Sequence, residues 1–315
     1  MELEGRCGLS AMALRVPGMV VRPFRLPGND ASVVTAGAPA RLRAALHVDA
    51  GHRATLLFGD PFSIPMPQVL AALGPADGAA GVNVLGGMAS GASQPGQNVL
   101  LLDGSTSAFG AVGVTLSGDV RIDALVSQGC RPVGDPLVVT KAQGNVALEL
   151  GGRPAMEAAQ AMARSLPEAQ RALLGKGVLF GLALDAYKPR FGRGDFLVRP
   201  ILGADRKTGA LAVGDMLRIG QTMQFHVRDD RTADEDLRLL LDGQQLDAPP
   251  LATMLFTCNG RGTRLFPNPH HDAALVHQRL GHAPLAGFFA AGEIGPVGGH
   301  AFLHGHTAVC AVVRE

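Results

Sequence analysis

The chain has 315 residues, of which 47% are hydrophobic and 17% charged, with a formal net charge of +1. That balance describes a protein with a large buried core and excludes a disordered chain or a polycationic binder of nucleic acid or membrane surfaces. Trp is absent and Tyr occurs once, so the aromatic platforms that stack bases or sugars are missing too. Cys7, Cys130, Cys258 and Cys310 form no CxxC pair, which argues against a zinc ribbon or a disulfide scaffold and fits a reducing cytoplasm. The N-terminal segment lacks a basic stretch followed by an apolar one, and no run of apolar residues is long enough to span a bilayer.

In chain order, RATLLFGD (53–60) predicts a buried strand, MPQVLAALG (66–74) a short helix stopped by Gly74, and GVNVLGG (81–87) a second strand. NVLLLDGS (98–105), AFGAVGVTLSGD (108–119) and VRIDALVSQG (120–129) read as strands, with Asp103-Gly104 and Ser117-Gly118 as hairpin turns. VVTKAQGNVALELGG (138–152) predicts another hairpin, PAMEAAQAMARSL (154–166) an amphipathic helix opened by Pro154, and GVLFGLAL (177–184) and LRIGQTMQFHVRD (217–229) further strands. TADEDLRLLL (232–241) reads as a helix with Thr232 at its N-cap and Glu235 completing a capping box. HHDAALVHQRLG (270–281) predicts a helix ended by Gly281, and HTAVCAVV (306–313) a buried closing strand.

Two stretches repeat one order of elements. LLFGDP (56–61), a helix, VLGGMASG (84–91) and AFGAVGVTL (108–116) match MLFTCN (254–259), a helix, LAGFFAAG (285–292) and GHTAVCAVV (305–313). The pattern predicts an α/β (α+β) fold of two related mixed-sheet domains packed together, a layered αββα arrangement from internal duplication. The expected division is 1–150 and 151–315. At corresponding strand ends the first copy reads as bland, whereas the second carries Cys258-Asn259-Gly260-Arg261-Gly262, Gly292-Glu293 and His304.

Glycines in CNGRG let backbone N–H groups converge, and the Arg261 guanidinium offers a planar fork for a carboxylate or phosphate. Glu293 opposite Arg261 suits a zwitterion such as an amino acid; an ion pair of Glu293 with Arg261 or Arg193 is the structural alternative. Cys258 with His304 or His271 as base is the catalytic alternative, against a plain buried thiol. His300, His304 and His306 lie in a run without a carboxylate, the pair at 270–271 adds two further imidazoles, and no HExxH is present, so no metal is expected. The polar stretch DAYKPRFGRGDFLVR (185–199), with Arg193 and Asp195, reads either as a basic flap over the site or as a solvated loop. P-loop, dinucleotide-binding and GxSxG motifs are absent, and no cofactor is expected.

YKPRFGRGDFLVRPILGADRKTGALAVGDMLRIGQTMQFHVRDDRTADEDLRLLL, LFTCNGRGTRLF, HDAALV, GFFAAGEIGPVGG and FLHGHTA resemble the FIST C-terminal domain. DPFSIPMPQVLAAL, VLGGMASG, GAVGVTLSGDVRIDALVSQGCRPVGDP and VVTKAQGN resemble the later part of a FIST N-terminal domain. The resemblance implies a sensory module for small ligands, with amino acids as the proposed class, working in intracellular signal transduction. It supplies no catalytic residues. It also implies a further αβ segment ahead of LSAMALRVPG, whose lack would leave a sheet edge for another chain and make a homo-oligomer conceivable. Cys258, Asn259, Arg261, Gly262, Glu293 and His304 match the pattern. The expected partners are a small polar ligand and a signalling protein, not nucleic acid or membrane. An adaptor binding protein through its surface is the remaining alternative.

Overall fold

A computed structural model describes residues 1–28, 39–75, 81–192 and 194–315. In chain order the elements are β1 (Met19–Leu26), α1 (Pro39–Ala45), β2 (His52–Gly59), α2 (Met66–Ala72), β3 (Val84–Met88), β4 (Leu100–Leu102), β5 (Ser105–Ser107), β6 (Ala111–Gly118) and β7 (Arg121–Gln128). There follow β8 (Cys130–Gln143), β9 (Val146–Leu150), β10 (Arg153–Pro154), α3 (Ala155–Ser165), α4 (Glu168–Leu173), β11 (Val178–Ala183), β12 (Phe196–Asp205), β13 (Ala210–Val213) and β14 (Thr222–Arg228). The chain closes with α5 (Asp230–Gln244), β15 (Ala252–Cys258), α6 (His271–Leu280), β16 (Leu285–Ala290), β17 (Glu293–Val297), β18 (His300–His304) and β19 (Thr307–Arg314). They form two compact units: one of Met1–Ser127 with Leu237–Glu315, the other of Gln128–Asp236.

The first unit holds both copies of the repeat. One sheet has the order β1-β6-β2-β3-β17-β18, the other β16-β15-β19-β7. In each copy a strand lies parallel to the strand after its helix and antiparallel to the copy's last strand: β2 with β3 and β6, β15 with β16 and β19. The registers agree residue for residue. Phe58 stands opposite Gly87 and Val112, and its counterpart Phe256 opposite Phe288 and Val309.

Alternation along the strands builds four layers. Leu57, Val84 and Ala111 meet Leu42 and Leu46, at and just after α1, and Met66, Val69 and Leu70 of α2. Ala54, Leu56, Leu85 and Leu116 face Ala252, Phe256, Val309, Ala311 and Val313 between the sheets. Leu255, Ala308, Cys310 and Val312 meet Leu237 and Leu241 of α5 and Ala273, Val276 and Leu280 of α6. The equivalent Phe58 and Phe256 rings pack edge to face at 5.6 Å in the middle layer. The α+β class and the duplicated, layered arrangement are therefore present.

The second unit is a barrel. Its strands run β9-β13-β12-β11-β14-β8, and β8 pairs again with β9, closing six strands. Val133, Val139, Phe180, Leu182, Val213, Met223, Phe225 and Val227 form one buried cluster with Ala155, Ala158 and Met162 of α3, so the interior is packed with side chains as small barrels are. The 14 residues of β8 serve two partners by means of register shifts in both pairings.

The two related sheets share one unit, and the other unit is a barrel that lies between β7 and β15 in the chain. Two expectations need correction. Ser117-Gly118 is not a hairpin: β6 belongs to the six-stranded sheet and β7 pairs with β19, so the chain crosses between sheets there. Helix α5 starts two residues before Thr232; the Thr232 hydroxyl donates to Asp229 Oδ2 at 2.6 Å, and the Asp229 carbonyl accepts the Ala233 N–H. The 103–104 turn, by contrast, joins β4 to β5 with both residues at positive φ, 48° and 74°.

Two glycines at one repeat position show why the sheets need them. A Cβ on Gly86 would lie 2.1 Å from the Leu57 carbonyl oxygen, and one on Gly287 1.8 Å from that of Leu255. Gly287→Ala is expected to lower stability at the upper end of the roughly 1–3 kcal/mol that overpacking costs. Gly243→Ala, in open space inside α5, should instead stabilise by up to about 1 kcal/mol. Urea denaturation midpoints measure both; an unaffected Gly287→Ala protein would contradict the close approach.

Candidate functional site

Strands β15 and β16 are parallel and α6 lies between them in sequence, so both carboxyl ends and the helix N-terminus bound one end of the sheet, the place where open α/β sheets present ligand-binding loops. Cys258 ends β15, Arg261 follows in the loop, Asp272 sits in the first turn of α6, and Glu293 opens β17 just beyond β16. His304 is the cross-strand partner of Glu293. The loop and strand ends bring together Cys258, Arg261, Glu293 and His304, all less than 8% exposed.

Arg261 is 1% exposed, and its fork closes on Asp272: Nε donates to Oδ2 and Nη2 to Oδ1, each at 2.8 Å. Desolvation opposes both charges, but the adjacent Arg261 holds the Asp272 carboxyl far below the ordinary carboxylate range. His271 Nδ1 donates to Asp272 Oδ1 at 2.9 Å while its ring stacks on Phe266 at 3.5 Å. The Arg261 guanidinium carbon lies 5.2 Å from the same Phe266 ring. Among the described residues Arg261 Nη1 has no hydrogen-bond partner.

Glu293 is fully buried. Its Oε2 accepts the Thr307 N–H at 3.1 Å and the Thr307 hydroxyl at 2.7 Å, whereas Oε1 has no hydrogen-bond partner among the described residues. Burial pushes its pKa up to about 8, against the opposing pull of Thr307, the adjacent Cys258 thiol and the Arg261 charge. At neutral pH the group is mainly a carboxylic acid. The Cys258 thiol is pushed up to about 11 by burial and then by Glu293. Gly260 N–H donates to Sγ at 3.4 Å. His304 Nε2 donates to the Gly295 carbonyl at 2.9 Å.

The corresponding end of the first copy is not bland. Asp60, at the repeat position of Cys258, is fully buried; its Oδ1 accepts from Asn98 at 2.8 Å and its Oδ2 from Ser63 at 2.6 Å. Both oxygens are engaged, as a structural polar group requires. The second copy leaves one atom of its guanidinium and one of its carboxyl open.

The other expected site residues are placed as follows. Asn259 is exposed and uses its N–H on the Ala290 carbonyl at 2.9 Å. Gly262 is buried at φ +55°, and Gly292 is buried at φ +145° with its carbonyl accepting the Met88 N–H. Asp195 belongs to the barrel unit and pairs with Lys188 and the Gly192 N–H in its own loop. Arg193 lies outside the described residues. The fork of Arg261 faces Asp272 rather than Glu293, so the ion pair of Arg261 with Glu293 that was the structural alternative is not formed. Asp272, Thr307 and Phe266 were not expected in the site; an acidic residue in a first helical turn reads equally well as a dipole contact.

Asp272→Ala should cost about 3–5 kcal/mol, because it strands a buried guanidinium. Arg22→Ala, which breaks the exposed Arg22–Asp49 pair and leaves the Asp49 bonds to the Gly51 N–H and Ser117 in place, should be nearly silent; thermal denaturation of the two variants checks the contrast. Glu293 carries a pH signature. A carboxyl whose folded pKa is raised binds its proton more tightly than the unfolded chain does, so stability falls as pH rises from about 4.5 to about 8 and then levels. Glu293→Gln should remove that decline in denaturation curves taken between those limits.

The FIST N domain model matches residues 5–153 and the FIST C domain model residues 158–296. The chain is 43% identical over 263 residues to the uncharacterized protein Rv0628c of Mycobacterium tuberculosis, covering 83% of this chain and 68% of that protein. It is 42% identical over 259 residues to the uncharacterized protein Mb0898c of Mycobacterium bovis, covering 82% and 66%. Among the described residues no helix is long and apolar enough to cross a membrane. FIST domains are associated with sensing in signal transduction. With both domain models covering nearly its whole length, the chain belongs to the FIST family.

Proposed function

We propose that the carboxyl ends of β15 and β16 bind a small polar ligand, and that an amino acid fits them best. The observation that carries this is the pair of open atoms, Arg261 Nη1 and Glu293 Oε1, on side chains 1% and 0% exposed. Leaving a buried polar group short of a partner costs more than the bond itself contributes, and Asp60, at the matching strand end of the first copy, shows that this fold can satisfy a buried polar group there completely. A ligand carboxylate would accept from Arg261 Nη1 and an ammonium would donate to Glu293 Oε1. The small molecule then supplies the two missing bonds.

Support for binding over nucleophilic catalysis comes from Cys258. Its thiol is buried and pushed up to about 11, in the direction opposite to that of an activated nucleophile. His304, the base considered for it, uses Nε2 on a backbone carbonyl.

Isothermal titration with a panel of amino acids tests the assignment. An ammonium replaces the Glu293 proton, so affinity should rise roughly tenfold per pH unit below about 8 and flatten above it, with proton release visible as a dependence of the heat on the buffer. Glu293→Gln should abolish both the rise and the release. Absence of binding across the panel, or binding indifferent to Glu293→Gln, would remove the proposal.

A further inference from the structure

The barrel unit has a cavity of its own. Strand β14 turns Met223, Phe225 and Val227 into the barrel core, so alternation sends His226 to the outer face. There its ring packs edge to face on Phe196 at 5.0 Å, and Phe196 belongs to a buried cluster with Cys130, Leu179, Ala183 and Val198. Gly181, on the neighbouring strand β11, gives the ring its room: a Cβ there would lie 2.3 Å from His226 Cε1 and 2.4 Å from Nδ1.

His226 is 2% exposed, and its Nδ1 lies 3.0 Å from the Gln224 carbonyl. A carbonyl only accepts, so Nδ1 carries the proton and Nε2 presents a lone pair. Burial holds the pKa of the ring down at about 4, which keeps it neutral near pH 7. Among the described residues Nε2 has no hydrogen-bond partner, and the residue borders a cavity of about 280 Å³. A buried acceptor left open is destabilising, yet the fold omits a Cβ at Gly181 and fixes the tautomer at Gln224 to keep it there.

Every residue around the cavity belongs to the barrel unit. Phe196, Cys130 and Pro132 form an apolar side, and Thr232, Glu235 and Asp236 form a polar side, spaced i, i+3, i+4 along one face of α5. Arg131 also borders the cavity, but Asp229 at 2.6 Å neutralises its charge and its Nε donates to Thr232 at 3.0 Å. The chemistry offered is therefore an imidazole nitrogen and two carboxylates, all acceptors, beside an aromatic wall. An occupant that donates hydrogen bonds, is positively charged and has an apolar body matches all of it. A carboxylate or a phosphate would meet acceptors.

We propose that this cavity is a second binding site, for a small organic cation: a primary ammonium or amidinium on an aromatic or apolar body, donating to His226 Nε2 and facing Glu235 and Asp236. The site goes beyond the amino-acid reading and shares no residue with it.

The test titrates the full chain with phenethylamine, with phenethyl alcohol as the neutral counterpart and phenylacetate as the anionic one. Calorimetry reads affinity, and NMR of the histidine ring nitrogens reads the contact. Phenethylamine should bind at one site and shift the His226 Nε2 resonance, while Nδ1, held on Gln224, moves little. The alcohol should bind at least tenfold more weakly, a difference of about 1.4 kcal/mol, and the acid should not bind. His226→Phe, which keeps a ring in place, should weaken amine binding roughly tenfold or more. Glu235→Gln should weaken it by a smaller factor and keeps the test open if His226→Phe does not fold. Glu293→Gln should leave amine binding unchanged, which separates this outcome from failure of the amino-acid site. No binding of the amine, equal binding of amine and alcohol, or equal affinity of the wild type, His226→Phe and Glu235→Gln would overturn the proposal.

Discussion

The buried bidentate pair of Arg261 and Asp272 is the interaction on which the C-terminal strand ends depend. It joins the loop after β15 to the first turn of α6, and neither side chain is more than 1% exposed. Two desolvated charges are tolerated only when the geometry is good and the remaining donors and acceptors are engaged. On the Asp272 side this condition is met, by both guanidinium bonds and by His271. On the far side of the guanidinium it is not, and the neighbouring Glu293 carboxyl is also half engaged. The pair fixes where the open atoms are, and Phe266, flanked by His271 and Arg261, fixes the loop that carries them.

The duplication makes the contrast interpretable. The two copies share register, the glycine that lets adjacent strands approach, and the phenylalanine at the centre of the sheet interface. One copy closes its strand end with Asp60, Ser63 and Asn98. The other places an arginine and a glutamate there and leaves one atom of each open. A difference at matched strand ends of one scaffold separates what the fold requires from what a site adds.

Much of the layered unit is legible in the sequence because its signals are local. Apolar runs bounded by glycine define β2, β15 and β19, and the repeat is visible because Gly86 and Gly287 are demanded by the same approach to a neighbouring carbonyl. The barrel is not legible. Its closure rests on the pairing of β8 with both β9 and β14, and the second of these partners lies many tens of residues away, with alternation no different from that of an open sheet. Ser117-Gly118 has hairpin chemistry but serves a crossing between sheets, a choice made by long-range packing. Among site residues Arg261, Glu293, Cys258 and His304 stand out as polar groups at strand ends. Asp272 does not, because its partner is 11 residues away across a loop and an aspartate at a helix start has an ordinary local explanation.

The most direct test of the central claim is a high-resolution crystal structure of the protein grown with the tightest-binding amino acid at pH 8. The account predicts a ligand carboxylate at hydrogen-bond distance from Arg261 Nη1 and its amino group at the same distance from Glu293 Oε1, with the Arg261–Asp272 pair unchanged. Density for ordered water alone at both atoms, or a guanidinium turned to bond Glu293 directly, would contradict it.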